Sequence, residues 1–143
     1  MGKVYREMRK DDYEAAYRLW QNTEGMALSE ADSEANIAVY LARNPGFSFV
    51  CEVDGRLAGT ILCGHDGRRG LIHHLVTAES HRRRGVASAL LERSLGALCD
   101  AGITKCHLLV FRSNEAGLAF WREIGAQERS SIALFSMATN NDG

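Results

Sequence analysis

The sequence holds a single proline, Pro45, among 143 residues, which leaves no proline-rich linker or polyproline segment to account for. It also lacks a charge excess: 17 Lys and Arg stand against 18 Asp and Glu. That balance argues against a general nucleic-acid or anionic-membrane binder. No apolar run approaches the roughly 20 residues that span a bilayer. Met1-Gly2-Lys3-Val4-Tyr5 is not the apolar stretch of a secretory signal, and Arg6 stands where a myristoylation pattern requires Ser or Thr. Cysteine is scarce as well. Cys51, Cys63, Cys99 and Cys106 match no zinc spacing, and their apolar neighbours read as buried, reduced thiols. The expectation is a cytoplasmic protein with no metal, no membrane contact and no nucleic-acid partner.

What is present is a regular succession of elements. Val4, Arg6 and Met8 alternate with Tyr5 and Glu7, predicting a strand over Lys3–Arg9. Asp11 and Asp12 open a helix with Ala15, Ala16, Leu19 and Trp20 at helical spacing. An acidic, irregular stretch over 22–32 leads to a second helix, capped by Ser33 and stopped before Asn44-Pro45-Gly46. Strands are predicted over Phe47–Val53, Leu57–Cys63 and Leu71–Thr77, with Asp54-Gly55 as a two-residue hairpin turn. A long helix runs from about Arg84 to Ala101, with Val86, Leu90, Leu91, Leu95 and Leu98 facing inward. Gly102 suits the left-handed position of a Schellman cap, with Ile103 folding back on Leu98. A strand over Lys105–Phe111, a helix over Asn114–Ile124 and a last strand over Ile132–Met137 follow, with 139–143 as a frayed tail. No repeat or linker interrupts them, so 1–143 reads as one α+β domain.

The segment richest in chemistry is Leu71–Leu91. A buried-type strand ends at Thr77, and Arg82-Arg83-Arg84-Gly85-Val86-Ala87 begins the long helix. The free N–H groups and positive dipole end of a helix N-terminus favour an anion. Gly85, Ala87 and Ser88 allow a phosphate close to the backbone, and the arginines add charge and bidentate donors. The segment lacks the Gly-Lys-Ser/Thr ending of a P-loop and the three glycines of a dinucleotide fingerprint.

Arg82-x-x-Gly85-x-Ala87 resembles the acyl-CoA-binding motif Arg/Gln-x-x-Gly-x-Gly/Ala of the GNAT superfamily of N-acetyltransferases. Asn114, with Phe120-Trp121-Arg122-Glu123-Ile124-Gly125 after it, resembles the family's Asn…(Phe/Leu)-Tyr-x-x-x-Gly segment. The element order matches over nearly the whole chain. The resemblance implies a central mixed, mostly antiparallel twisted sheet of six to seven strands, flanked by about four helices and splayed between the fourth and fifth strands. It implies acetyl-CoA as co-substrate. Leu75, Val76 and Thr77 match positions whose backbone pairs with pantetheine amides, Arg83, Arg84, Gly85, Val86, Ala87 and Ser88 match the pyrophosphate loop, and the resemblance implies Arg82 or a neighbouring arginine as a further phosphate contact. Asn114 and Trp121 match positions flanking pantetheine.

The chain departs from the family where catalysis is concerned. Trp121 stands where many relatives carry an acidic Tyr, and indole cannot usefully protonate a thiolate. Leu71 and Leu109 occupy two positions where relatives carry a catalytic Glu. His73 matches a fourth-strand histidine of arylalkylamine N-acetyltransferases and is the candidate general base. His74 is expected to point the other way and pack under a helix, while His81 and His107 read as surface residues. A route without a general base, through solvent and positioning alone, is the alternative.

The first two helices and the turn between the third and fourth strands wall the acceptor site in such domains. Here they bring Glu24, Glu30 and Asp32, together with His65, Asp66, Arg68 and Arg69. Carboxylates suit a cationic amine and an arginine suits a carboxylate or phosphate on the same molecule. The implied activity is transfer of acetyl from acetyl-CoA to a primary amine of a small molecule or polypeptide, by direct attack in a ternary complex. The competing reading is a non-catalytic acyl-CoA-binding sensor or subunit. Open sheet edges make a homodimer a further expectation.

Overall fold

Asp54 and Gly55 take φ of 54° and 77°, the left-handed pair of a type I′ turn, and Val53 faces Arg56 across them. This turn joins β2 (Phe49–Val53) to β3 (Arg56–His65). β1 (Lys3–Glu7) pairs antiparallel with β2, and β4 (Gly70–Thr77) pairs antiparallel with β3. β5 (Cys106–Leu108) lies parallel to β4, giving one mixed sheet in the chain's own order, β1-β2-β3-β4-β5. The computed structural model describes residues 2–140, which fall into two compact units, Met1–Leu109 and Val110–Gly143. From Asn141 on, the tail expected over 139–143 lies outside the described residues.

In the first unit, α1 (Tyr13–Gln21) and α2 (Glu34–Arg43) cover one face of the sheet. Their Ala16, Trp20 and Ile37 bury against Met8, Val50, Leu62 and Val76. Ser33 caps α2, its Oγ accepting the Asn36 N–H at 3.2 Å. The opposite face carries α3 (Val86–Asp100), packed so closely that a Cβ on Gly59 would lie 2.7 Å from Val86 Cγ1 and one on Gly70 2.7 Å from Leu98 Cδ1. Gly102, at φ 82°, ends α3 as the sequence predicts. Ile103 N–H reaches Leu98 C=O at 2.9 Å and Gly102 N–H reaches Cys99 C=O at 3.0 Å, the two bonds of a Schellman cap.

Four expectations are corrected in this structure. The sheet has five strands among the described residues, not six to seven. Ile132–Met137 forms no strand and joins no ladder among the described residues, and Phe135 and Met137 are 87% and 92% exposed. Alternating side chains specify a strand only where a partner ladder exists to receive them. The strand expected over Lys105–Phe111 shortens to Cys106–Leu108, because β4 bends away just beyond its pairing with Leu108. Leu95 and Cys99 sit on the outer side of α3 and are exposed, whereas Cys51 and Cys63 are buried and all four thiols are free.

The second unit is built around α4 (Glu115–Glu123). Asn114 caps it, Oδ1 accepting Gly117 N–H at 3.0 Å, and Glu128 ties Arg112 and Arg122 together at 3.0 and 2.9 Å. No helix among the described residues is long and apolar enough to cross a membrane.

Candidate active site

β4 is a regular strand only as far as His73. Leu62 faces His73 and Thr60 faces Val76, so Ile61 alone opposes His74 and Leu75, a β-bulge. His74 takes φ 49°, a left-handed conformation that a histidine holds only when its surroundings fix it. Those surroundings are a buried chain of hydrogen bonds. Trp20 Nε1–H donates to Thr60 Oγ1 at 2.9 Å, and the Thr60 hydroxyl donates to His74 C=O at 2.9 Å. The His74 ring lies on Trp20, centroids 4.6 Å apart, and its Nε2 meets Asp32 Oδ1 at 2.6 Å. Asp32 in turn accepts Ser29 N–H at Oδ2, 3.1 Å, while its carbonyl accepts Tyr13 O–H at 2.7 Å.

Two sequence readings change here. His74 does pack under a helix, but it does not point away from His73. The bulge turns both rings to the α1–α2 face, 6.3 Å apart. Asp32 is buried and engaged with His74 rather than presented to solvent, and Glu24 is exposed on the acidic loop.

The bulge also opens the sheet. β4 and β5 pair only through Gly70↔Cys106, Leu71↔His107 and Ile72↔Leu108. His73–Thr77, including Leu75, Val76 and Thr77, therefore has no strand on its β5 side among the described residues. An unpaired strand edge is a row of N–H and C=O groups available to an extended ligand.

The chain then passes through a short 3-10 turn into Arg82–Gly85. Arg83 and Gly85 have φ of 64° and 79°, and Gly85 is the N-cap of α3. No side chain caps this helix, and the N–H groups of Gly85, Val86, Ala87 and Ser88 have no partner among the described residues. Arg82, Arg83 and Arg84 are exposed and make no ion pair among those residues. The Lys3 ammonium bonds the Arg84 carbonyl and ties the loop to β1. Positive charge and free donors are thus concentrated at one end of the open β4 edge, a fit for an anionic, extended ligand.

At the other end lies a cleft of about 320 Å³ between the C-terminus of α2, β4 and the β3–β4 turn. His73, Leu71, His65, Asp66 and Tyr40 line it. His73 is half-buried, its ring edge-on to Tyr40 at 6.1 Å. Burial, with His74 alongside, holds its pKa below the ordinary 6.5, although Asp32 acts in the opposite sense. The neutral imidazole is therefore the form present at pH 7. Asp66 Oδ1 accepts the N–H groups of Arg68 and Arg69 at 2.8 and 2.9 Å, and His65 Nδ1 accepts Gly67 N–H at 2.9 Å.

Residues 6–126 match the acetyltransferase (GNAT) family. The chain belongs to that family. An acetyltransferase of Pectobacterium atrosepticum is 32% identical over 129 residues, 90% of this chain and 91% of its own. Two solved structures share the fold. Ard1 from Thermoplasma volcanium has a TM-score of 0.77 at 24% identity, covering 87% of this chain and 82% of its own. The PaiA N-acetyltransferase from Thermoplasma acidophilum, in complex with coenzyme A, has a TM-score of 0.75 at 19% identity, covering 87% and 89%.

In this GNAT acetyltransferase Leu71 and Leu109 are 38% and 64% exposed and bring no carboxylate to the splay. Tyr40 also lines the cleft. Its hydroxyl is buried without a hydrogen-bond partner among the described residues, and burial pushes its pKa up, so it stays protonated. Cys63, whose thiol burial pushes up to about 12, cannot supply a thiolate nucleophile near neutral pH. In the second unit, Asn114 spends Oδ1 on its helix cap and keeps its amide N–H groups as donors, while Trp121 stands edge-on to Phe120 at 5.2 Å.

Proposed function

We propose that this acyltransferase uses acetyl-CoA as donor and a primary amine as acceptor, by direct attack in a ternary complex. The observation that carries the reading is one continuous strand–loop–helix unit: an open β4 edge followed by a basic loop whose N–H groups are unpaired. The edge at Leu75–Thr77 suits the two amides of pantetheine, which would add to the sheet as a strand. Arg82, Arg83 and Arg84, with the N–H groups of Gly85 to Ser88, suit the pyrophosphate.

His73 accepts the proton as the amine nitrogen bonds to the thioester carbon. The C–S bond then breaks, and the thiolate leaves to be protonated from solvent. Neutral His73 suits this role because a protonated imidazole cannot take a second proton. Titration with acetyl-CoA by calorimetry should give a dissociation constant in the micromolar range, within the usual 1 μM–1 mM span of substrate constants. CoA release that depends on added amine then separates an enzyme from a sensor. Binding without release across a broad amine panel favours the sensor, to which the missing carboxylates at Leu71 and Leu109 lend support.

The His73 assignment predicts a pH signature. Wild-type kcat/KM should decline on its acid side below pH 6.5, as His73 becomes charged, beyond the loss from protonation of the amine itself. His73→Ala should lower kcat/KM by about 10²–10⁴ at neutral pH and leave only the amine's own titration. Stability follows the same sign: with the folded-state pKa depressed, the contribution of neutral His73 is complete above the unfolded value and is lost as pH falls through the folded one. Full activity of His73→Ala between pH 6 and 9 would remove His73 from the mechanism.

A further inference from the structure

We infer that the acceptor is a small amine carrying its own oxyanion, a carboxylate or phosphate, which Arg43 and Arg69 hold at the cleft mouth while the amino group faces His73. This deepens the acetyl-transfer reading above and rests on it. Arg43 enters from the end of α2 and Arg69 from the β3–β4 turn, and neither guanidinium is paired with a carboxylate among the described residues. Among the described residues the one carboxylate lining the cleft is Asp66, whose Oδ1 is already occupied by two backbone N–H groups. Glu24 and Asp32 do not line it. His65, with Nδ1 accepting Gly67 N–H, keeps its neutral-state proton on Nε2 as a further donor. Two positive charges and one further donor therefore outweigh one acid.

The two arginine-bearing walls are also fixed relative to each other. Asn44, buried at the end of α2, accepts His65 N–H at 3.1 Å and donates to Tyr40 C=O at 3.4 Å. Its side chain occupies the space that Gly64 leaves open, since a Cβ on Gly64 would lie 2.6 Å from Asn44 Cγ. Arg43 and the turn bearing Arg69 are thus joined through a hydrogen-bonded residue adjacent to both, an arrangement that reduces the ordering needed to clamp an oxyanion. The cleft's volume of about 320 Å³ is at the small end of the roughly 300–1,000 Å³ typical of small-molecule sites. A multi-ring polycation would have to bring further positive charge against both arginines.

Matched acceptors test this directly: L-phenylalanine with 2-phenylethylamine, L-leucine with 3-methylbutylamine, and O-phosphoethanolamine with ethanolamine. Charge-assisted hydrogen bonds of about 1.5–3 kcal/mol translate to a preference of about 10- to 150-fold in kcat/KM for the oxyanion-bearing member, expressed mainly in KM. The first two pairs read a carboxylate and the third a phosphate. In the double variant Arg43→Gln/Arg69→Gln the ratio should fall toward one. Intrinsic reactivity within a pair is the same for both proteins, so the change in ratio isolates the arginines. A wild-type ratio of one or less in every pair, a ratio unmoved in the variant, or a preference for an aminoglycoside or a peptide N-terminus without acidic residues overturns the inference while acetyl-CoA binding stands. If no pair is turned over, calorimetry of the CoA-saturated protein decides between its members, and equal or absent binding likewise overturns the inference. Failure to bind acetyl-CoA overturns the donor assignment, and this inference with it.

Discussion

Gly85→Glu should reduce acetyl-CoA affinity by about 100-fold or more while leaving a folded protein. Gly85 has φ 79°, and a side chain there carries the left-handed penalty of about 1–2 kcal/mol. A Cβ meets nothing within 4 Å, so the substitution strains one residue without disturbing the core. Its carboxylate, by contrast, would sit among the unpaired N–H groups at the start of α3, where the dipole holds it against any incoming phosphate. The loss of even one or two charge-assisted hydrogen bonds accounts for the expected fall. Gly85→Ala separates the two effects, since it shares the backbone strain but adds no charge. Calorimetric affinity within threefold of wild type in the glutamate variant would mean that the loop does not bind the anion.

Thr60→Val should be the most destabilising of the conservative core changes. Thr60 and Trp20 are both fully buried, at 0% exposure. The valine leaves buried Trp20 Nε1–H and the part-buried His74 C=O without their hydroxyl partner, each costing about 1–3 kcal/mol. A total of about 2–6 kcal/mol is a large share of the roughly 5–15 kcal/mol that holds a typical domain together. Thr60→Ser keeps the hydroxyl and loses only a methyl, so it should lose about 1 kcal/mol. The valine variant should also lose kcat, because the bulged His74 carbonyl is no longer held and His73 is the adjacent residue. Equal urea midpoints for the valine and serine variants would show that the bulge needs no such support.

The features legible in the sequence are those written within a few consecutive residues. Asp54-Gly55, Ser33 and Gly102 each act on backbone groups at most four residues away, so their turn and caps could be read directly. The strand–arginine–glycine–helix order around Arg82–Ala87 is likewise contiguous. His74 illustrates what was not legible. Its left-handed φ has no marker such as glycine, and its partners Trp20, Asp32 and Thr60 come from three other parts of the chain. Asp32 read as a candidate carboxylate for the acceptor amine because nothing local reveals that β4 places an imidazole against it. Ile132–Met137 failed in the reverse way, since its alternation is local but a ladder requires a neighbour.

The agreement between strand order and chain order bears on how the protein reaches this state. β2, β3 and β4 are joined by short turns, so their ladders close with little loss of chain entropy. β1 must instead find β2 across residues 8–48, an excursion containing α1 and α2. Closure entropy grows as the logarithm of loop length, and contacts distant along the chain slow folding. The β2–β3 and β3–β4 ladders therefore carry the smaller closure cost, and the β1–β2 ladder the larger one. Lys3 reaches Arg84 from β1, so the tie between the basic loop and the sheet depends on this long-range pairing.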